Sequence, residues 1–129
     1  MLSSRVRAAA SAANFAALST LLPDGTPQTN VMWVDHDDDH LLLNTEVHRQ
    51  KYRNIRRDPR VSVAIWKHDN PYSFVEVRGE VVGEVRGPEA LAHIRALSKR
   101  YTGRDYTLSH ITSERVILKV RPTRVVGRG

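Results

Sequence analysis

FAALSTLLPDGTPQTNVMWVDHDDDHLLLNT, residues 15–45, carries the fold in its punctuation. Pro23-Asp24-Gly25-Thr26 reads as a turn, because proline presets φ and glycine accepts a positive φ. On either side, 15–22 and 28–34 read as strands. In the second, Gln28, Asn30 and Met32 alternate with Thr29, Val31 and Trp33, as residues on opposite faces of a strand do. A second turn over 35–40 leads into a third strand, 40–45. The connections are too short for parallel crossovers, so the three strands are expected to form an antiparallel meander.

Working outward, residues 3–13 fit a short helix opened by Ser3 or Ser4. Residues 48–57 are helical in pattern, with Tyr52 and Ile55 on one face, and Pro59 ends the helix by restricting Asp58. A β-branched strand follows over 60–67, then a turn at Asp69-Asn70-Pro71. The long strand 72–85 is interrupted at Gly79 and Gly83, where a bulge or bend is expected. Pro88 opens a third helix to about Tyr101, whose buried stripe is read as Leu91, Ile94 and Leu97 with Ala90 and Tyr101. The last strand is 115–126, with Pro122 marking an edge or a break. Six strands and three helices with short links exclude a parallel doubly wound sheet. They fit a mainly β (α+β), closed or nearly closed antiparallel barrel with peripheral helices.

The 129 residues suit a single domain, 1–129. The absence of cysteine excludes disulfides, thiolate metal sites and a thiol nucleophile, and accords with a cytoplasmic location. No apolar run approaches the ~20 residues a membrane span needs. The net charge of +6, mostly from arginine, calls for an anionic partner.

The strongest local signal is Asn44-Thr45-Glu46-Val47-His48-Arg49-Gln50-Lys51. A strand ends there and a helix begins, with Arg49 and Lys51 in its first turn. Cations at a helix N-terminus oppose its dipole, and an anion would relieve that cost while using the free N–H groups. Thr45 adds a hydroxyl, so the stretch is a candidate phosphate cradle; the alternative is a solvated basic face. Arg53, Arg56, Arg57 and Arg60 extend the basic stretch. Without a recognition helix, basic zipper or zinc finger they read as structural, pairing with Asp58 or a partner chain, rather than as a nucleic-acid surface. His36-Asp37-Asp38-Asp39-His40 reads as a turn, since five consecutive residues cannot converge on one ion; no metal site is expected. His48, His93 and His110 lack spaced partners and read as surface or capping residues. No catalytic triad or general acid is evident.

The segments 15–34, 41–65, 70–81 and 115–127 together resemble the pyridoxamine 5′-phosphate oxidase-like split β-barrel superfamily. They are most similar to its short actinobacterial branch of coenzyme F420-dependent reductases. The most specific part is Arg49-x-Lys51-x-x-Asn54-Ile55-x-x-Asp58-Pro59-Arg60. The resemblance implies a six-stranded split barrel that forms a homodimer with cofactors between subunits. It implies that Asn44, Thr45, Arg49 and Lys51 surround the cofactor phosphate, and that Gln28, Asn30, Val31, Met32 and Trp33 lie along the ring. Trp66 and Tyr72 are candidates to close the groove from the opposite subunit. The implied cofactor is F420, with FMN as the alternative. The implied activity is hydride transfer from reduced F420 to a small conjugated organic acceptor, with a non-enzymatic carrier as the competing reading. Pyridoxamine phosphate oxidases proper carry substrate-phosphate residues on a longer C-terminal part, whereas this sequence stops at Arg128-Gly129. The vitamin activity itself is therefore not expected.

Overall fold

The structure is a computed structural model describing residues 1–129. Its elements are α1 (Ser4–Ser11), β1 (Phe15–Leu21), β2 (Pro27–Trp33), β3 (Asp35–His36), β4 (Leu41–Glu46), α2 (Gln50–Arg57), β5 (Arg60–Lys67), β6 (Asn70–Arg86), α3 (Pro88–Thr102) and β7 (Arg115–Arg128), with a 3-10 turn at Leu108–His110. The strands form one antiparallel sheet in the order β2-β1-β5-β6-β7-β4-β3. It curls into the half-barrel of a split-barrel fold, bringing β2 and β4 near each other without hydrogen bonding them. No helix is long and apolar enough to cross a membrane.

Two expectations need correction here. The first three strands are not a meander: β1 and β2 pair as a hairpin, but 41–46 pairs with β7, with Thr45 opposite Val116. Chain connectivity alone could not reveal this, because the partner lies about 70 residues downstream and hydrophobic pairing outweighs proximity along the chain. There are also seven strands rather than six. The extra one, β3, is a two-residue ribbon inside the expected turn, paired with Leu41 and Leu42.

One face of the sheet is packed into the core. Ala16, Leu18, Val63, Ile65, Val75 and Val77 point inward and meet Leu41, Leu43, Val116, Leu118 and Val120. α1 plugs this interior with Val6 and Ala10, both fully buried. Its N-cap is Ser3, whose Oγ accepts from the Val6 N–H at 3.3 Å. Eight residues are too few for a helix to persist alone in water, so docking sustains it. Tyr52 and Ile55 bury the inner face of α2, as their spacing requires.

The glycine expectations in β6 hold, since the register shifts fall between Arg78 and Gly79 and between Val81 and Gly83. A Cβ on Gly79 would run into the Arg121 carbonyl, so only glycine permits this approach. Pro122 lies opposite that bulge, beyond the last β4 partner of β7, where the strand needs no donor on that side. On α3, Ala90, Ile94 and Leu97 are buried, whereas Leu91 is exposed. Tyr101 fastens this helix to β2: its ring stacks on Trp33 at 5.2 Å, and its hydroxyl donates to the Asn14 carbonyl and accepts from the Val34 N–H.

Candidate functional site

The gap where β2 and β4 approach without pairing holds a cavity of about 350 Å³. That volume falls in the range of small-molecule sites. Phe15, Val31, Met32 and Trp33 from β1 and β2, with Ile94 and Leu97 from α3, form an apolar wall. Asn44, Thr45, Arg49, Lys51 and Arg115 form the polar end. Thus Val31, Met32, Trp33, Asn44, Thr45, Arg49 and Lys51, separated in sequence, line one cavity. A larger cleft of about 420 Å³ lies between α1 and the β5–β6 turn. Its charged residues, Arg5, Lys67, Asp69 and Arg128, are all solvent-exposed, where water and salt screen them.

The electrostatics of the smaller cavity are distinctive. Lys51 is only 9% exposed and makes no salt bridge. Burial, then the charges of Arg49 and Arg115, bring its ammonium down to about 8. Arg115, 8% exposed, is also pushed down by burial. Its one carboxylate neighbour is Glu46, at 3.5 Å, and Tyr106 lies under its guanidinium at 5.5 Å. Glu46 is itself occupied, accepting the Thr112 and Ser113 N–H groups at 2.7 and 2.8 Å. Burial raises its carboxyl, but these bonds and Arg115 outweigh that and lower it. Three cations therefore face one cavity with one carboxylate among them. Like charges held together in partial burial are costly unless an anion joins them.

Arg49 stands at the N-cap of α2 rather than in its first turn, and gives the helix no side-chain cap. The Tyr52 and Arg53 N–H groups donate to the Arg49 carbonyl, so those of Gln50 and Lys51 are left to another acceptor. The Thr45 hydroxyl has no partner within the chain and borders the cavity. Asn44 is different. Its Nδ2 donates to the Ala90 carbonyl at 2.9 Å and faces His93 Nδ1 at 3.0 Å, while its Oδ1 accepts from Arg115 Nε at 2.8 Å. Both amide hydrogens are used, so Asn44 holds Arg115 and has none left for an anion.

The other expected residues lie elsewhere in the chain. Gln28 accepts from Asn54 Nδ2 at 3.0 Å and braces α2. Asn30 does not line the cavity. Trp66 packs on Phe15 at 6.5 Å, one ring removed from the cavity, and Tyr72 is 80% exposed near the β5–β6 turn. His93 is neither a surface nor a capping residue: its Nε2 lies 3.0 Å from Asp35 Oδ2 and its side chain is 11% exposed. Asp37 organises the 35–40 turn through the Asp39 and His40 N–H groups. Arg57 and Arg60 are taken up by the Leu21 carbonyl and Asp58, as a structural role requires.

Sequence reasoning missed Arg115, Phe15, Ile94, Leu97 and Tyr106. Arg115 enters the site because β7 starts opposite Glu46, and its position became readable only with that register.

A sequence model of the pyridoxamine 5′-phosphate oxidase family matches residues 2–128. The chain belongs to this family. A solved F420 reductase is 36% identical and superposes with a TM-score of 0.80, covering 95% of this chain and 96% of the reductase. A conserved hypothetical protein from Mycobacterium tuberculosis is 30% identical, with a TM-score of 0.68, covering 97% of this chain and 83% of that one. General Stress Protein 26 from Bacillus anthracis, at 18% identity and a TM-score of 0.65, shares the fold over 94% of this chain and 88% of its own.

Proposed function

We propose that this protein is an F420-dependent reductase that binds the deazaflavin in the cavity between β2 and β4 and serves a small conjugated organic acceptor. The observation that carries this reading is the cation cluster of Lys51, Arg49 and Arg115 facing an aromatic and aliphatic wall. A phosphorylated planar heterocycle needs both an anion end and an apolar bed. The 36% identity to an F420 reductase supports F420 over FMN.

When bound, F420 would supply a hydride to the acceptor. The chain supplies binding and orientation. Lys51, Arg49 and the α2 N-terminus offset phosphate charge, and the Thr45 hydroxyl adds a neutral donor. Arg115, held by Asn44, adds a second buried cation. Met32 and Trp33 give the ring an apolar surface to lie against. The proton of the reduction comes from solvent.

A homodimer belongs to the same reading. Val31 and Val126 are exposed on the outer sheet face, at 65 and 38%, in a row completed by Ala17, Ala64 and Glu76. This face runs into the cavity at Phe15 and Trp33, so a second copy could close it with Trp66 or Tyr72.

Titration of the purified protein with F420 and with FMN, followed by tryptophan quenching, tests the reading. Micromolar or tighter F420 binding is expected, weakened about 10- to 100-fold by Lys51→Ala. Millimolar or absent binding of both cofactors sinks it. Steady-state oxidation of reduced F420 by quinones or enones separates a reductase from a carrier, which would bind without turnover.

A further inference from the structure

Asn44 is the middle link of a chain of side chains running from the cavity to β3. The direction of every bond in it is decided by its fixed ends. Arginine Nε can only donate and the Ala90 carbonyl can only accept, so the Asn44 amide has one orientation. His93 Nδ1, 3.0 Å from Asn44 Nδ2, must then accept. Its ring proton therefore sits on Nε2, directed at Asp35 Oδ2 3.0 Å away. Burial raises the Asp35 carboxyl, but hydrogen bonds from His93 and from Arg100, at 2.9 Å, bring it down to about 2. An ionised carboxylate at this end keeps the proton on Nε2 and Nδ1 free to accept.

We propose that His93 is a positioning residue of the site: held by Asp35 in its Nε2–H tautomer, it locks the Asn44 amide and so aims the Arg115 guanidinium at the anion end of the cavity. This rests on the reading of that cavity as the cofactor site. Arg115 has a competing attraction, the Glu46 carboxylate at 3.5 Å. With no acceptor at position 93, Asn44 loses one of its two amide partners and its side chain rotates more freely. The guanidinium then settles toward Glu46, where its charge is neutralised inside the protein. His93 thus decides how much of the Arg115 charge remains available to a ligand, without touching that ligand. It also ties α3, which contributes Ile94 and Leu97 to the apolar wall, to the charged end of the cavity.

Arginine-selective NMR with cofactor titration tests this. In ligand-free wild type, the Arg115 Nε–H should exchange slowly with solvent. In His93→Leu, exchange is expected to rise and F420 and FMN affinity to fall, each about tenfold. His93→Asn, whose Oδ1 can replace Nδ1 as acceptor, should recover most of both, while thermal unfolding confirms that both variants are folded. Unchanged Arg115 exchange in His93→Leu overturns the proposal, as does a His93→Asn variant no better than His93→Leu. Wild-type protein that binds neither cofactor overturns the cavity reading instead; the ligand-free Arg115 signal still decides the relay.

Discussion

Lys51 is the residue whose chemistry is most exposed to test. Its folded pKa of about 8 lies below the ordinary value of 10.5, so between these pH values the unfolded chain holds more protons. Stability of the ligand-free protein must then rise as pH rises through that window. The full shift corresponds to about 3 kcal/mol; because the ammonium faces an open cavity, solvent screening leaves about 1–2 kcal/mol. Urea melts from pH 7.5 to 10.5 should show this gain in wild type and lack it in Lys51→Met; parallel curves would refute the assignment. An anion beside Lys51 reverses the shift, so cofactor binding near pH 8 should take up a fraction of a proton. Calorimetry in two buffers of different ionisation enthalpy reads that uptake, and Lys51→Arg, which stays charged, should abolish it. The basic pair Arg49 and Lys51 was legible in sequence because cations at a helix start are locally unfavourable. Arg115 was not, since nothing near residue 115 signals that its strand begins beside Glu46.

At the scale of elements, the site depends on how α2 is fastened. Asn54 is fully buried and donates to Thr20 Oγ1 and Gln28 Oε1, both at 3.0 Å, while Gln50 Nε2 donates to its Oδ1 at 2.8 Å. Replacing it by leucine leaves the buried Thr20 hydroxyl and the Gln28 amide oxygen short of a donor. A loss of about 2–3 kcal/mol is expected in chemical denaturation, together with weaker cofactor binding as the Lys51 end of the helix loosens. A loss under about 0.5 kcal/mol would show that α2 is held by Tyr52 and Ile55 alone. Asn54 stood in the most specific sequence stretch, yet Gln28, its partner, read as a ring contact. Strand alternation assigns a face; it does not say which helix covers that face.

At the scale of the whole molecule, the proposed dimer rests on the outer sheet face. Val126 sits beside Glu76 on that face, away from the cavity. Val126→Glu places two carboxylates side by side on it. If the face is a dimer contact, sedimentation should show wild-type dimer and variant monomer, with circular dichroism unchanged. A variant that remains dimeric moves the interface elsewhere, and a monomeric wild type removes it.

The sequence by itself determined the three helices and six longer strands, the glycine bulges of the long strand and a basic strand-to-helix junction suited to an anion. These are local properties: turn chemistry, alternation and helix-end electrostatics act over a few residues. The tertiary structure alone decided that 41–46 pairs with β7 instead of extending a meander. That one pairing opens the gap beside β2, carries Arg115 to Lys51 and buries His93 against Asn44. It is a choice among partners distant along the chain, made by the packing of inward-facing aliphatic side chains, which no local pattern records.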